Sequence, residues 1–327
     1  MATNLLEVQH LTKEYKIGGM FSRKKMRAVD DVSFAITDEK PVILSIVGES
    51  GCGKTTMARM ILRLIEPSEG KILIGGKNAL SKKEISSHDF RNTVQTIFQN
   101  PFDAFSSRRQ VIKYLLDTAK AFGGCKTSAE AVEAASKALK SVGLDYSVVE
   151  GKYPSQFSGG ELQRIAIARA LITSPKLIVA DEPVAMIDAS LKINIVNLFK
   201  ELKDKYGISF VYITHDLSTA YYVSDYIATL YRGNLVEFGD AKEVMENPAH
   251  PYTQLLLSSV PRVGEKWDQS DKAGETESRE YAMSCCRFQS RCPYATDECR
   301  KKRPEALEIG RGRKVSCYHP LVTAQEG

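Results

Sequence analysis

The segment Gly48-Glu49-Ser50-Gly51-Cys52-Gly53-Lys54-Thr55 constrains this chain more than any other. It fits G-x-x-x-x-G-K-[ST] without deviation. It stands between a short apolar run, Pro41 to Val47, and a helical pattern from Lys54 to Leu64. The apolar run predicts a strand buried on both faces of a parallel sheet. Glycines let backbone N–H groups turn inward around phosphate oxygens, and the N-terminus of the following helix adds positive potential. Lys54 offers a point charge to β- and γ-phosphates, and the Thr55 hydroxyl suits Mg²⁺.

The rest of the chain reads as alternating strands and helices around this loop. Leu5 to Tyr15 reads as a strand and turn, and Ala28 to Ile36 alternates like a half-buried strand. Gly18 to Lys25 is a glycine- and basic-rich loop. Ile72 to Ile74, followed by Gly75-Gly76, looks like a hairpin edge. From about Pro101 to Thr173 the pattern becomes helical. Ser128 is positioned to cap a helix over Ala129 to Val142 that Gly143 ends, and Glu161 to Leu171 forms another. Leu177 to Ala180 and Ile208 to Thr214 read as buried strands flanking a long helix over Ala189 to Tyr206. Tyr226 to Tyr231 and Leu235 to Phe238, joined by Arg232-Gly233-Asn234, read as a hairpin. After Asp240 the chain is expected to be loop-rich, with a polar linker over Val263 to Glu280. Strands alternating with helices predict a parallel α/β core.

Composition narrows the class. A chain of 327 residues suits one large domain and a smaller appendage. A net charge of +5, spread without one long basic tract, argues against nucleic acid as a partner. No apolar run approaches the roughly 20 residues that span a bilayer, and Met1 to His10 is not a secretion signal. The chain is therefore expected in the cytosol, reaching a membrane only through a partner.

Further motifs identify a family. Phe157-Ser158-Gly159-Gly160-Glu161-Leu162-Gln163-Arg164 resembles the signature sequence of the ATP-binding-cassette (ABC) ATPases. Leu177-Ile178-Val179-Ala180-Asp181-Glu182-Pro183 is similar to their second phosphate-site motif. Gln99 matches their glutamine loop, Asp188 their aspartate loop and His215, in Ile213-Thr214-His215-Asp216, their switch histidine. The resemblance covers about Leu5 to Asp240. It implies an α/β fold: a P-loop NTPase (RecA-like) core with an antiparallel β subdomain and an inserted helical subdomain.

The resemblance also implies site roles. Gly48, Glu49, Ser50, Gly51, Cys52, Gly53, Lys54, Thr55 and Thr56 would cradle the triphosphate of ATP. Thr55, Gln99 and, through water, Asp181 would meet Mg²⁺. Glu182 would take the proton from the attacking water, and His215 would hold that water in line. Tyr15 lies where relatives stack a ring on adenine. Ser158, Gly159 and Gly160, preceding a helix, would form a second anion site for the nucleotide of an opposite subunit, with Asp188 nearby; the alternative is a simple helix cap. Phe157 and Glu161 replace the usual leucine and glutamine of the signature. Ala185 replaces a serine common in the aspartate loop, at the expected loss of one hydrogen bond across a dimer.

The tail points to a branch. Asn247-Pro248-Ala249-His250-Pro251-Tyr252-Thr253-Gln254-Leu255-Leu256 and Cys286-Arg287-Phe288-Gln289-Ser290-Arg291-Cys292-Pro293 resemble the post-core segment of the oligopeptide, dipeptide and nickel uptake ATPases. The Gly18 to Lys25 loop resembles the second of the two ATPases in such systems. Residues 1–240 are then the ATPase domain, with its helical subdomain at about 101–173, and 241–327 a small cysteine-rich extension. Cys286, Cys292, Cys299 and Cys317 have five, six and seventeen residues between them. That spacing departs from the close pairs of zinc ribbons and leaves three readings: a [4Fe–4S] cluster such as relatives carry, zinc, or packed thiols. Arg287, Arg291, Arg300, Lys301, Lys302 and Arg303 offset a cluster's charge or form a solvated face. The implied function is the ATP-hydrolysing motor of an importer of oligopeptides or related solutes, with oligosaccharides or nickel as alternative cargo. A soluble ABC ATPase outside transport is the more distant alternative. The implied partners are a second ATPase subunit, of the same or another chain, two membrane-spanning permease subunits and, indirectly, an extracytoplasmic solute-binding protein. The implied location is the cytoplasmic face of the membrane. Phe102 and Phe105 are either anchors for a membrane subunit or core.

Overall fold

Ile43–Val47 is buried at all five positions, because it is a strand with sheet neighbours and covered faces rather than a surface ribbon. In a computed structural model, residues 4–16, 25–259, 280–281, 283–310 and 312–322 are described. They divide into two units whose segments interleave along the chain.

One unit comprises Thr37–Ile43 and Ile74–Ile213. Its strands Val94–Ile97, Leu177–Asp181 and Ser209–Ile213 are parallel, with Ile97 opposite Ala180 and Asp181 opposite Ile213. The helical stretch holds Val111–Ala121, Ser128–Ser141 and Gly159–Leu171. The cap of the middle helix is Thr127, not Ser128. Thr127 Oγ1 accepts from Glu130 N, and the Thr127 N–H donates to Glu130 Oε2, so the glutamate three residues on selects between adjacent hydroxyls. Ala189–Tyr206 forms the long helix.

The other unit comprises Leu6–Ile36, Leu44–Leu73 and the chain from Thr214. Strands Lys25–Thr37, Asn4–Lys16 and Glu69–Ile74 lie side by side in that order. The buried strand leading to the glycine loop pairs in parallel with Tyr226–Tyr231, placing Val47 opposite Thr229. Tyr226–Tyr231 continues antiparallel into Asn234–Asp240 through a two-residue turn. Arg232 and Gly233 both have positive φ, 44° and 83°, the geometry that matches strand twist in a tight hairpin.

Past Asp240 the structure departs from the loop-rich expectation. Asp240 caps a helix, Ala241–Glu246, accepting from Lys242 N and Glu243 N at 2.9 and 3.2 Å. Pro251 opens a second helix, Pro251–Ser258, whose cap is His250. Further on, Lys314–Val315 adds antiparallel to the hairpin, Val315 opposite Glu237, and pairs in turn with Leu307–Glu308. Most of the expected polar linker, 263–279, and the basic loop 18–24 lie outside the described residues. Glu280, assigned to that linker, is buried. No helix among the described residues is long and apolar enough to cross a membrane.

Candidate functional site

The glycine loop follows its strand and opens directly into the helix Lys54–Ile61. Gly53 sits at φ 110°, and a Cβ there would lie 2.3 Å from the Ala28 carbonyl oxygen, so only glycine fits the turn. Lys54 is buried, and its Nζ donates to the carbonyls of Gly48 and Glu49 at 2.7 and 2.8 Å. The ammonium is thereby held against the first two carbonyls of the loop. Cys52 is fully buried, and burial pushes its thiol pKa up, so it is a protonated packing residue. Thr55 is exposed and Thr56 half-buried at the helix start. In the same unit, Tyr15 is exposed, with Lys13 Nζ 5.6 Å from its ring centroid. His215 is exposed just beyond Ser209–Ile213, and Asp216 caps the helix Leu217–Val223.

The other unit carries the remaining motif residues. Asp181 ends its strand half-buried. Glu182 follows at φ 46°, with its N–H bonded to Ile213 O at 2.9 Å. Gln99 Nε2 donates to Glu182 Oε2 at 3.2 Å, so the structure brings these two predicted residues together. Asp188 is exposed at the start of Ala189–Tyr206, where its side chain makes no cap bond.

Ser158 does form the helix cap weighed against an anion site. Its Oγ accepts from Glu161 N at 3.3 Å and donates to Glu161 Oε2 at 2.7 Å, while Ser158 N donates to the same oxygen at 2.9 Å. These bonds from Ser158, side chain first, hold the Glu161 carboxyl below the usual range. A residue the sequence reading passed over is Gln163. It is fully buried, and its Nε2 donates to Pro183 O at 2.8 Å and Phe98 O at 3.4 Å, tying the signature helix to the residues beside Glu182 and Gln99. Two residues beyond Glu161, on the opposite side of the helix, its position gave no hint of partners so distant. Phe105 is buried and edge-on to Tyr114 at 5.2 Å, whereas Phe102 is 43% exposed.

In the tail, Cys286, Cys292, Cys299 and Cys317 line one small cavity with His250 and His319. Burial, and then the neighbouring thiols, push Cys286 up to about 12; burial pushes Cys317 up to about 11. Among the described residues, no three His, Cys, Asp or Glu side chains converge closely enough to hold a metal ion. The four thiols do not gather on one point but stand around a common cavity. The basic residues near them are not one solvated face either. Arg287 is buried against Asp30 at 2.8 Å, Arg303 lies 3.4 Å from the same carboxylate, and Arg291 binds Glu49. Arg300, Lys301 and Lys302 remain exposed, with Asp297 and Glu305 beside the first and last.

Comparison with known proteins fits these elements. Residues 29–185 match the ABC transporter family model, and 236–299 match the oligopeptide/dipeptide transporter C-terminal region. The chain is 39% identical over 326 residues to the oligopeptide transport ATP-binding protein AppF of Bacillus subtilis, covering 96% of this chain and 97% of that protein. It is 35% identical over 321 residues to the dipeptide transport ATP-binding protein DppF of Haemophilus influenzae, covering 97% of each. Among solved structures, the ADP- and Pi-bound dimer of the ATP-binding cassette MJ0796 superposes with a TM-score of 0.63 at 27% identity, over 72% of this chain and 98% of that one. CbiO1 from Clostridium perfringens, part of the ABC transporter complex cbiONQ, gives 0.63 at 25% identity over 75% and 92%. With near-complete coverage at such identity, and a second match over the tail, the chain belongs to the ATP-binding proteins of ABC transporters, in the branch that carries the oligopeptide/dipeptide C-terminal region.

Proposed function

We propose that this chain is the ATP-hydrolysing subunit of a peptide importer and acts as one half of a nucleotide-sandwich dimer. The observation that carries the reading is the pair after the strand Leu177–Asp181: Glu182 at a positive φ of 46°, with Gln99 3.2 Å from its carboxylate. A glutamate kept in that conformation beyond a buried strand is the kind of local strain that clusters at functional sites.

In this reading Gly48 to Thr56 wrap the triphosphate, with Lys54 neutralising charge on its outer phosphates. Thr55, Gln99 and Asp181 attend Mg²⁺, and Tyr15 stacks on adenine. Glu182 accepts the proton of the attacking water, and His215 keeps water and carboxylate in line. The work is mainly positioning and charge stabilisation. Ser158, Gly159, Gly160 and Asp188 serve the nucleotide of the opposing subunit. Ser158 Oγ–H is given to Glu161, so closure of the dimer exchanges that acceptor for a phosphate oxygen.

Peptide cargo is inferred from the relatives' names and from the match over 236–299. Cargo would pass through two membrane-spanning partners, fed by an external binding protein, with this chain at the cytoplasmic face as residues 1–240 and a 241–327 extension. Phe102 is the exposed apolar anchor for a membrane subunit, and Phe105 belongs to the core. The four tail thiols are proposed as ligands of a [4Fe–4S] cube. Cys286, Cys292, Cys299 and Cys317 would hold such a cluster from around the cavity they line. Bound there, the cluster would supply a redox-active or structural centre. Anaerobically purified protein should absorb in the visible range of thiolate–iron charge transfer and contain iron; colourless, iron-free protein overturns this assignment.

Glu182→Gln is the test of the motor. It should bind ATP, accumulate as a closed dimer on a sizing column and lose roughly 10²- to 10⁴-fold in phosphate release. Undiminished hydrolysis would remove Glu182 as the base.

A further inference from the structure

The glycine loop is gripped from outside by residues that lie beyond the hairpin. The Glu49 N–H donates to Tyr252 Oη at 2.9 Å. One nitrogen of Arg291, Nη1, lies 3.1 Å from both carboxylate oxygens of Glu49. Tyr281 Oη donates to the Gly51 carbonyl. Each holder is itself fixed. Tyr252 is fully buried, its ring 4.5 Å from Tyr231 and 5.5 Å from Phe288. The Arg291 guanidinium stands 5.9 Å over both Tyr231 and Phe288.

Glu49 is consequently engaged on every polar group. Its N–H and carboxylate face the tail, while its carbonyl, with that of Gly48, receives Lys54 Nζ. The tail therefore sets the segment of loop whose carbonyls hold the lysine. Charge adds a second effect. Glu49 is an acidic residue in a loop built for anions, and its nearest cation is Arg291, with Arg232 Nη2 at 3.9 Å. Without Arg291, a carboxylate beside the phosphate site is poorly neutralised and repels the ligand.

We propose that Tyr252, Tyr281 and Arg291 are positioning residues for the nucleotide: they pre-form the Glu49–Gly51 turn, and Arg291 cancels the charge of Glu49. The inference rests on the glycine loop being the nucleotide site. Pre-forming a loop raises affinity by removing the ordering cost from the binding step.

The test is calorimetric titration of the purified full chain with Mg-ADP. Wild type should bind and Lys54→Ala should bind far more weakly; equal affinity for these two would overturn the loop reading itself. With that reading intact, Arg291→Gln should raise Kd roughly tenfold, as expected for a lost partly buried charge partner. Arg291→Lys should fall between. Glu49→Gln placed on Arg291→Gln should recover most of the affinity, which a merely structural arginine would not allow. Tyr252→Phe, which deletes only the hydroxyl, should raise Kd a few-fold without changing the ring packing. Wild-type Kd in Arg291→Gln and Tyr252→Phe, or no recovery in the double variant, would overturn the proposal.

Discussion

His250 shows how one side chain can couple the tail's packing to pH. It is 2% exposed, its Nδ1 accepts from Tyr252 N at 3.0 Å, and burial lowers its pKa to about 3. An unfolded chain takes up this proton near pH 6.5, whereas the folded chain resists it until about 3. The unfolded state then binds more protons between these values, so stability is complete above about 6.5 and falls as pH drops through that window. Urea midpoints measured from pH 7.5 to 4.5 should show this loss. In His250→Asn, which keeps a cap acceptor that does not titrate, the acid-side slope should be smaller; an identical slope would exclude His250 as its source. Neither the burial nor the shift was visible in the string Asn247 to Leu256, since a histidine before proline reads equally well as surface.

Elements whose signals are local were legible from the residues. The buried strand, glycine loop and helix at 43–61 announce themselves by adjacency, and the long helix Ala189–Tyr206 by its periodicity. The turn Arg232-Gly233 marks its own hairpin. What escaped depended on partners far along the chain. Lys314–Val315 has only two residues and no pattern; it is a strand because Glu237 and Phe238 offer it an edge. Ala241–Glu246 and Pro251–Ser258 are short helices whose caps, Asp240 and His250, could as well have begun turns. The same divide runs through the site. Motif residues sit together in sequence, but Gln163 reaches Phe98 across 65 residues, and Arg291 reaches Glu49 across 242.

The tail's ionic contacts bear on how much of this chain is needed for its core to stand. Asp30, Arg232 and Glu237 all precede the tail, and all are largely buried. Asp30 is paired with Arg287 at 2.8 Å, Arg232 with Glu280 at 3.1 Å and Glu237 with Arg313 at 2.6 Å. Breaking a buried pair from one side costs on the order of 3–5 kcal/mol, because the remaining charge stays desolvated. A chain ended after Ser259 should therefore melt well below the full protein and populate partly open forms, read by thermal denaturation and amide exchange around Asp30 and Glu237. Equal melting of the two would show that water reaches these groups freely. The shortened protein is in this sense not a trimmed ATPase but a mutated one, with three buried ions each stripped of a close partner of opposite charge. Electrically, the cassette of this chain closes at Arg313.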